Sequence, residues 1–106
     1  MFARHVSMHL KGGSLAEFNR IIDKEVMPIL KRQKGFRDEI ILETPNGTEV
    51  AGISLWDNKE SAEAYNRENY SQVQQFLAKV LDGAPLVKTY EVSFSTLHKL
   101  AAHATA

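Results

Sequence analysis

The chain has 106 residues, of which 43% are hydrophobic and 25% are charged, a balance typical of one globular domain. Its 13 basic and 13 acidic residues give a net charge of zero, so we expect no nucleic-acid partner, because such proteins usually carry a basic surface. The absence of cysteine excludes disulfides, thiolate metal sites and thiol nucleophiles.

The first ten residues alternate between two kinds of side chain, which predicts a strand. One face carries Phe2, Arg4, Val6, Met8 and Leu10, and the other carries Ala3, His5, Ser7 and His9. This segment has no uninterrupted apolar stretch, so it is neither a signal peptide nor a membrane span. We therefore expect a cytoplasmic protein without a membrane partner.

The next segment predicts a helix with a break in it. Ser14 and Glu17 are spaced as a capping box, and apolar residues recur at helical intervals up to Leu30. Pro28 should kink or divide this helix because proline has no amide hydrogen to donate. Gly35 is typical of a helix end.

A β-hairpin is predicted next, with strands over residues 36–44 and 49–56. The Asn46-Gly47 pair favours a tight turn, because both residues accept positive φ angles readily. The second of these strands is apolar on both faces, which is typical of a central strand.

A second helical region should begin near Asn58, become irregular over residues 66–71 and resume until Leu81. A fourth strand is predicted over residues 86–96. The order is β-α-β-β-α-β, an α+β ferredoxin-like arrangement with both helices on one face of a four-stranded antiparallel sheet. Residues 1–96 form the domain, and residues 97–106 form a loose tail.

Two helices cover only one face of such a sheet. The other face would expose several hundred Å² of apolar surface, more than most soluble monomers leave bare. We therefore expect a homodimer paired through this face. The alternative is that the polar side chains of His5, Ser7, His9, Thr89 and Glu91 keep the face adequately hydrated.

Several short motifs together resemble the antibiotic biosynthesis monooxygenase (ABM) family. They are residues 26–30 (Val-Met-Pro-Ile-Leu) followed by Gly35-Phe36, then Ser54-Leu55-Trp56 with residues 57–65, and finally Tyr90-Glu91-Val92. The resemblance spans residues 4–95. It implies a dimeric α+β barrel with a cavity between sheet and helices, in which some members oxidise quinol-like aromatic substrates with O₂ and without any cofactor.

Haem-degrading relatives in the same superfamily carry an Asn on the first strand, a Trp in the second helix and a later His. The corresponding positions here are His5, Tyr65 and Gln75, so haem degradation is the weaker alternative. A non-catalytic dimer that binds a small ligand is the other alternative.

The resemblance and the residue types together give a predicted site. His5 is the candidate catalytic base or anion partner, and Trp56, Tyr65, Tyr70 and His9 are candidate substrate-binding residues. Each also has a structural interpretation: His5 and His9 as ordinary half-buried histidines, Trp56 as a core anchor, and the tyrosines as rim residues. Arg4 and Lys88 could balance a phenolate, and no metal-binding motif is present.

Overall fold

The computed structural model describes residues 1–98, and they form the predicted ferredoxin-like arrangement. Four antiparallel strands make one sheet in the order β2-β3-β1-β4. The strands are β1 (Phe2–His9), β2 (Phe36–Glu43), β3 (Glu49–Trp56) and β4 (Leu86–Glu91). The α-helices are α1 (Leu15–Ile21), α2 (Met27–Lys31), α3 (Lys59–Glu68) and α4 (Tyr70–Leu77), and a π-helical segment covers Ile22–Val26.

Strand register decides which side chains face the helices. Arg4 lies opposite Ser54 of β3, and Glu39 of β2 lies opposite Ser54 on its other side. Arg4, Ser54 and Glu39 therefore form a row across three neighbouring strands, with their side chains on the helix-covered face. Partners in such a row share a face because successive residues of a strand point to opposite sides.

The first helical region is divided, as the proline predicts. The π-helical segment runs directly into α2. Pro28 lies in the first turn of α2, where its missing amide hydrogen is tolerated. The predicted capping box is wrong, because the Ser14 side chain makes no cap hydrogen bond. Glu17 instead pairs with Arg20 and Lys79, and these partners lower its pKa to about 2.

The hairpin and its turn are confirmed, since the Gly47 amide donates to the Thr44 carbonyl at 2.8 Å, but only one residue of the Asn46-Gly47 pair has the expected positive φ. Gly47 alone has a positive φ, +70°, and Asn46 keeps a negative one. The Asn46 side chain instead accepts hydrogen bonds from the Thr44 hydroxyl at 2.7 Å and the Thr48 amide at 3.2 Å. The Asn46 side chain thus reinforces the backbone turn by binding a group on each side of it.

The second helical region is more regular than predicted. The Asn58 side chain accepts a hydrogen bond from the Ser61 amide at 2.9 Å and caps α3, as expected. The break predicted within residues 66–71 is present but shorter than expected, because only Asn69 separates α3 from α4. The prediction for the fourth strand is also too long, since β4 ends at Glu91.

The core lies between the sheet and the helices. Its largest fully buried side chains are Trp56, Phe18, Ile21 and Leu30. Trp56 stacks on Tyr65 with ring centres 5.2 Å apart, and Phe36 meets it edge-on at 5.5 Å. Its indole nitrogen donates to the Ser54 hydroxyl of the same strand at 2.9 Å, which fixes the ring, and the stacking on Tyr65 anchors α3 to the sheet.

The second face of the sheet carries no helix within residues 1–98. Its large exposed apolar side chains, together with two from the chain that follows β4, are Ile40, Leu42, Leu86, Tyr90, Phe94 and Leu97. His98 contacts Asp38 of β2, so it is partly buried rather than solvated as the tail prediction implied. Residues 99–106 of the predicted tail, including His103, lie outside the described residues.

Candidate functional site

A pocket lies between the helix-covered face of the sheet and the helices that pack on it. Its cavity volume is about 40 Å³. Most of its wall is apolar and comes from β1, β2, the π-helical segment, α2 and α4: Val6, Met8, Ile22, Val26, Leu30, Ile41, Val73 and Leu77. Its polar side chains are Arg4, Glu39, Ser54, Tyr65 and Tyr70. Few polar groups in an apolar enclosure are typical of small-molecule sites.

Arg4 is the buried cation of this pocket, with only 3% of its surface exposed. Its guanidinium lies 4.4 Å from the ring centre of Tyr70 and 5.2 Å from that of Tyr65. It donates one hydrogen bond to the Asn66 side chain at 2.8 Å. Within residues 1–98 no carboxylate lies within 4.0 Å of it, so cation–π contacts and one amide oxygen stabilise the charge.

Glu39 lies at the other end of the cross-strand row. Its Oε1 atom is buried and finds no hydrogen-bond donor among residues 1–98. Burial raises the pKa of Glu39 from 4.5 to about 7, and the positive charge of Arg4 opposes this rise. A carboxyl group in this condition exchanges its proton near neutral pH, as general acids and bases require.

The two tyrosines form the aromatic wall beside Arg4. Tyr65 is buried, Tyr70 is half-buried, and their ring centres are 6.2 Å apart. Burial raises the pKa of both phenols, with Arg4 partly offsetting the effect. Both hydroxyls therefore stay protonated at neutral pH and are available as hydrogen-bond donors.

A larger cleft lies on the other side of Arg4, between α3 and β4. Its volume is about 300 Å³, and Asn66, Ala62 and Thr89 are among the residues that line it. Arg4 lines both spaces, so its side chain separates the buried pocket from the open cleft.

The structure brings only some of the predicted site residues together. Tyr65 and Tyr70 line the pocket, while Trp56 is fully buried behind Tyr65 and anchors the core. His5 and His9 lie on the opposite face of the sheet, because they alternate with Arg4 along β1. His5 approaches the Ser7 hydroxyl at 3.5 Å and His9 approaches Glu49 at 3.8 Å.

The side chain of His5, the candidate catalytic base, therefore lies outside this pocket. A group on that face reaches a ligand between sheet and helices only through the sheet itself. The sequence points only weakly to the two residues that carry the pocket's charges. It offers Arg4 as one of two possible partners of a phenolate, and it predicts no role for Glu39. For Arg4 the available signal was a charged residue between two apolar ones on the same strand face, Phe2 and Val6, whereas Glu39 has Arg37 on one side and Ile41 on the other and gave no such signal.

Within residues 1–98, no group of three or more potential ligand residues is placed to hold a metal ion. No helix in this part of the chain has the length and apolar character needed to cross a membrane.

The sequence matches no family model and no curated protein. Solved structures do match. A monooxygenase from Streptomyces coelicolor in complex with nanaomycin D has 16% identity and a TM-score of 0.77, with 92% of each chain covered. A cofactor-independent oxygenase from Streptomyces nogalater has 12% identity and a TM-score of 0.75, with 92% of this chain and 97% of the other covered.

A protein of unknown function from Nitrosomonas europaea is similar to the same extent, with 14% identity and a TM-score of 0.76 over 92% of this chain and 94% of the other. The chain thus has the fold of ABM-like proteins, as the sequence motifs imply. At these identities the likeness concerns the fold.

Proposed function

We propose that the chain is a cofactor-independent oxygenase of the ABM type, which oxidises a phenolic or quinol-like aromatic molecule between sheet and helices. The observation that carries the proposal is the buried Arg4 guanidinium, which stacks on two tyrosine rings in an apolar pocket and has no carboxylate within 4.0 Å among residues 1–98. A buried cation of this kind is suited to an anionic ligand.

The first requirement of such a reaction is an electron-rich anion. A phenol that loses its proton becomes a phenolate, and the guanidinium of Arg4 would stabilise the negative oxygen in an environment of low dielectric constant. Tyr65 and Tyr70 would hold the aromatic ring and offer hydroxyl donors to it. The apolar wall would keep bulk water away from the anion.

The overall reaction balances without an external reductant. A phenol with hydrogen on the carbon para to its hydroxyl group reacts with one O₂ to give a para-quinone and one water. One oxygen atom becomes the new carbonyl group, and the other leaves as water with one hydrogen from the hydroxyl group and one from the para carbon. All four electrons that reduce O₂ come from the substrate.

The volume of the pocket limits how a substrate can bind there. A cavity of about 40 Å³ is far smaller than pockets that enclose drug-sized ligands, which measure roughly 300–1,000 Å³. The cleft beyond Arg4, at about 300 Å³, reaches the lower end of that range. We propose that the substrate enters from this cleft and displaces the Arg4 side chain, which then contacts the substrate's oxygen.

Similar folds support the reaction class, since one similar protein is described as a cofactor-independent oxygenase and another was solved with nanaomycin D bound.

We further propose that the working form is a cytoplasmic homodimer paired through the uncovered sheet face. Exposed apolar side chains on that face, and Phe94 with 81% of its surface exposed, support this pairing.

Oxygen consumption with a panel of single-ring and fused-ring phenols tests the activity. We expect uptake of one O₂ per phenol oxidised, and loss of it in Arg4→Met, which keeps the length and apolar stem of the side chain but removes the charge. Lys88→Met, which removes an exposed cation from the other sheet face, is the matched control and should retain activity. No uptake with any phenol would refute the oxygenase proposal.

A second candidate function is binding without catalysis, and the small volume of the enclosed pocket favours it. Such a protein would be protected from thermal unfolding by the same phenols but would consume no oxygen. The two functions therefore differ in one measurable result.

A further inference from the structure

We propose that Glu39 is the proton acceptor for a phenolic hydroxyl bound between its carboxylate and the guanidinium of Arg4. This inference rests on the proposed binding of a phenol in the pocket, and it names the group that ionises the substrate.

The cross-strand row sets the spacing of the two charged groups. Arg4 and Glu39 flank Ser54, one on each neighbouring strand, and all three side chains line the pocket. Two strand spacings separate their Cα atoms by about 10 Å. Within residues 1–98, neither group forms an ion pair within 4.0 Å, with the other or with any other charged side chain.

The hydrogen bonds that Glu39 and Arg4 can still make define the chemistry of the ligand. The buried Oε1 atom of Glu39 can accept a hydrogen bond and has no donor among residues 1–98, whereas the guanidinium of Arg4 only donates. A phenolic oxygen meets both demands with one atom, because its hydrogen points to the carboxylate while its lone pairs accept from the guanidinium. A carboxylate ligand would be repelled by Glu39, and an ammonium group by Arg4.

Gly52 leaves room beside the acceptor atom. A Cβ atom at this position would lie 3.5 Å from Glu39 Oε1 and 3.5 Å from Ile41 Cδ1. The missing side chain therefore leaves free the space next to the carboxylate, on the pocket floor. Larger residues there would fill the volume that a phenolic hydroxyl needs.

The transfer itself is a simple proton exchange. The O–H bond of the phenol breaks, a new O–H bond forms on the Glu39 carboxylate, and the electron pair stays on the phenolate oxygen beside Arg4. The total charge of the pocket does not change, so no ion has to enter or leave. His5 is not suited to this step because it lies on the opposite face of the sheet.

The surroundings of Glu39 agree with this role. The titratable groups that line the pocket with it are Arg4 of β1, Tyr65 of α3 and Tyr70 of α4. Only Arg4 among them is charged at neutral pH, and its charge lowers the pKa of Glu39 while burial raises it to about 7. The carboxylate is therefore ionised in part at neutral pH and regains a proton readily.

Proton counting on binding tests the assignment without requiring turnover. We would titrate the protein with para-nitrophenol by calorimetry, in buffers of different ionisation enthalpy, at about pH 8.5, where both the probe and Glu39 are ionised before binding. The wild type should take up close to one proton per probe bound, because the phenolate and the Glu39 carboxylate repel each other unless a proton lies between them. Glu39→Gln should bind the probe with no uptake, and Glu43→Gln, an exposed carboxylate on the same strand, should behave as the wild type.

Equal proton uptake by the wild type and Glu39→Gln would overturn the assignment, and so would a wild type that binds no probe. Gly52→Ala is the second variant and should bind the probe about tenfold more weakly, because its methyl group would fit the empty pocket at ordinary contact distances but occupy the space next to Glu39 Oε1 that the hydroxyl needs. Its control is Gly12→Ala, where an added Cβ atom meets nothing within 4 Å. Equal probe affinity in Gly52→Ala and Gly12→Ala would also contradict the proposed position of the hydroxyl.

Turnover distinguishes a failure of this inference from a failure of the proposed function. With any phenol that the wild type oxidises, Glu39→Gln should lose roughly 10²–10⁴-fold in kcat, with a smaller change in KM. If the wild type consumes no oxygen, the oxygenase proposal fails while the proton count still decides the role of Glu39. If Glu39→Gln oxidises phenols at the wild-type rate, the oxygenase stands and the proton acceptor is another group.

Discussion

Glu39→Gln should make the folded protein more stable at alkaline pH and should leave it nearly unchanged in acid. Burial raises the pKa of this carboxyl group from 4.5 to about 7. The folded state therefore holds a proton that the unfolded chain has released between these two pH values, and stability falls as the pH rises through this window. Below pH 4.5 both states are protonated, and above about pH 7 the penalty is complete.

The pKa difference sets the size of the effect. From 4.5 to about 7 it corresponds to about 3 kcal/mol of unfolding free energy, an upper figure because local relaxation and water reduce it. The neutral amide of glutamine has the same shape and carries no such penalty, although it adds two donors that need partners. The difference between variant and wild type should therefore grow by up to about 3 kcal/mol between acid and alkaline pH.

Urea unfolding provides the measurement, with the fluorescence of Trp56 as the signal, because it is the single tryptophan and is fully buried. Wild type and Glu39→Gln would be compared at about pH 4 and about pH 8.5, at one protein concentration, so that dimerisation affects both equally. Glu43→Gln is the control, because the carboxylate that it replaces is exposed to solvent. A wild-type-to-variant difference that stays constant with pH would refute the burial argument for Glu39.

Three further substitutions test the fold and the assembly. Trp56→Ala should cost about 3–5 kcal/mol of unfolding free energy because it empties the centre of the core, and a loss under 1 kcal/mol in urea unfolding would contradict that role. Asn58→Ala removes the cap of α3 and should cost about 1 kcal/mol, whereas an unchanged urea midpoint would show that the cap contributes little. Phe94→Asp places a charge on the proposed dimer surface and should shift sedimentation from dimer toward monomer, with Gln74→Asp, at an exposed position of α4, as the control; a wild-type monomer at micromolar concentration would refute the dimer itself.

The sequence alone was sufficient for the order of the elements and for the two faces of β1. These features depend on local physics: alternation places Arg4 and His5 on opposite sides, the amide-free Pro28 interrupts a helix, and Asn58 caps one. The same local signals wrongly predict a cap at Ser14, because a cap competes with other side-chain partners. They also overestimate the length of the break within residues 66–71, because packing stabilises helices of weak periodicity.

The site depended on tertiary structure. Alternation alone does not reveal which face of β1 the helices cover, and the sequence interpretation followed the histidines to the uncovered face. Arg4 and Glu39 are 35 positions apart, and only the register of β1 and β2 against β3 aligns both with Ser54. Their enclosure in one pocket, rather than their residue types, leaves Arg4 without a carboxylate in contact among residues 1–98 and gives Glu39 a carboxyl group that titrates near neutral pH, because desolvation is a property of the assembled pocket.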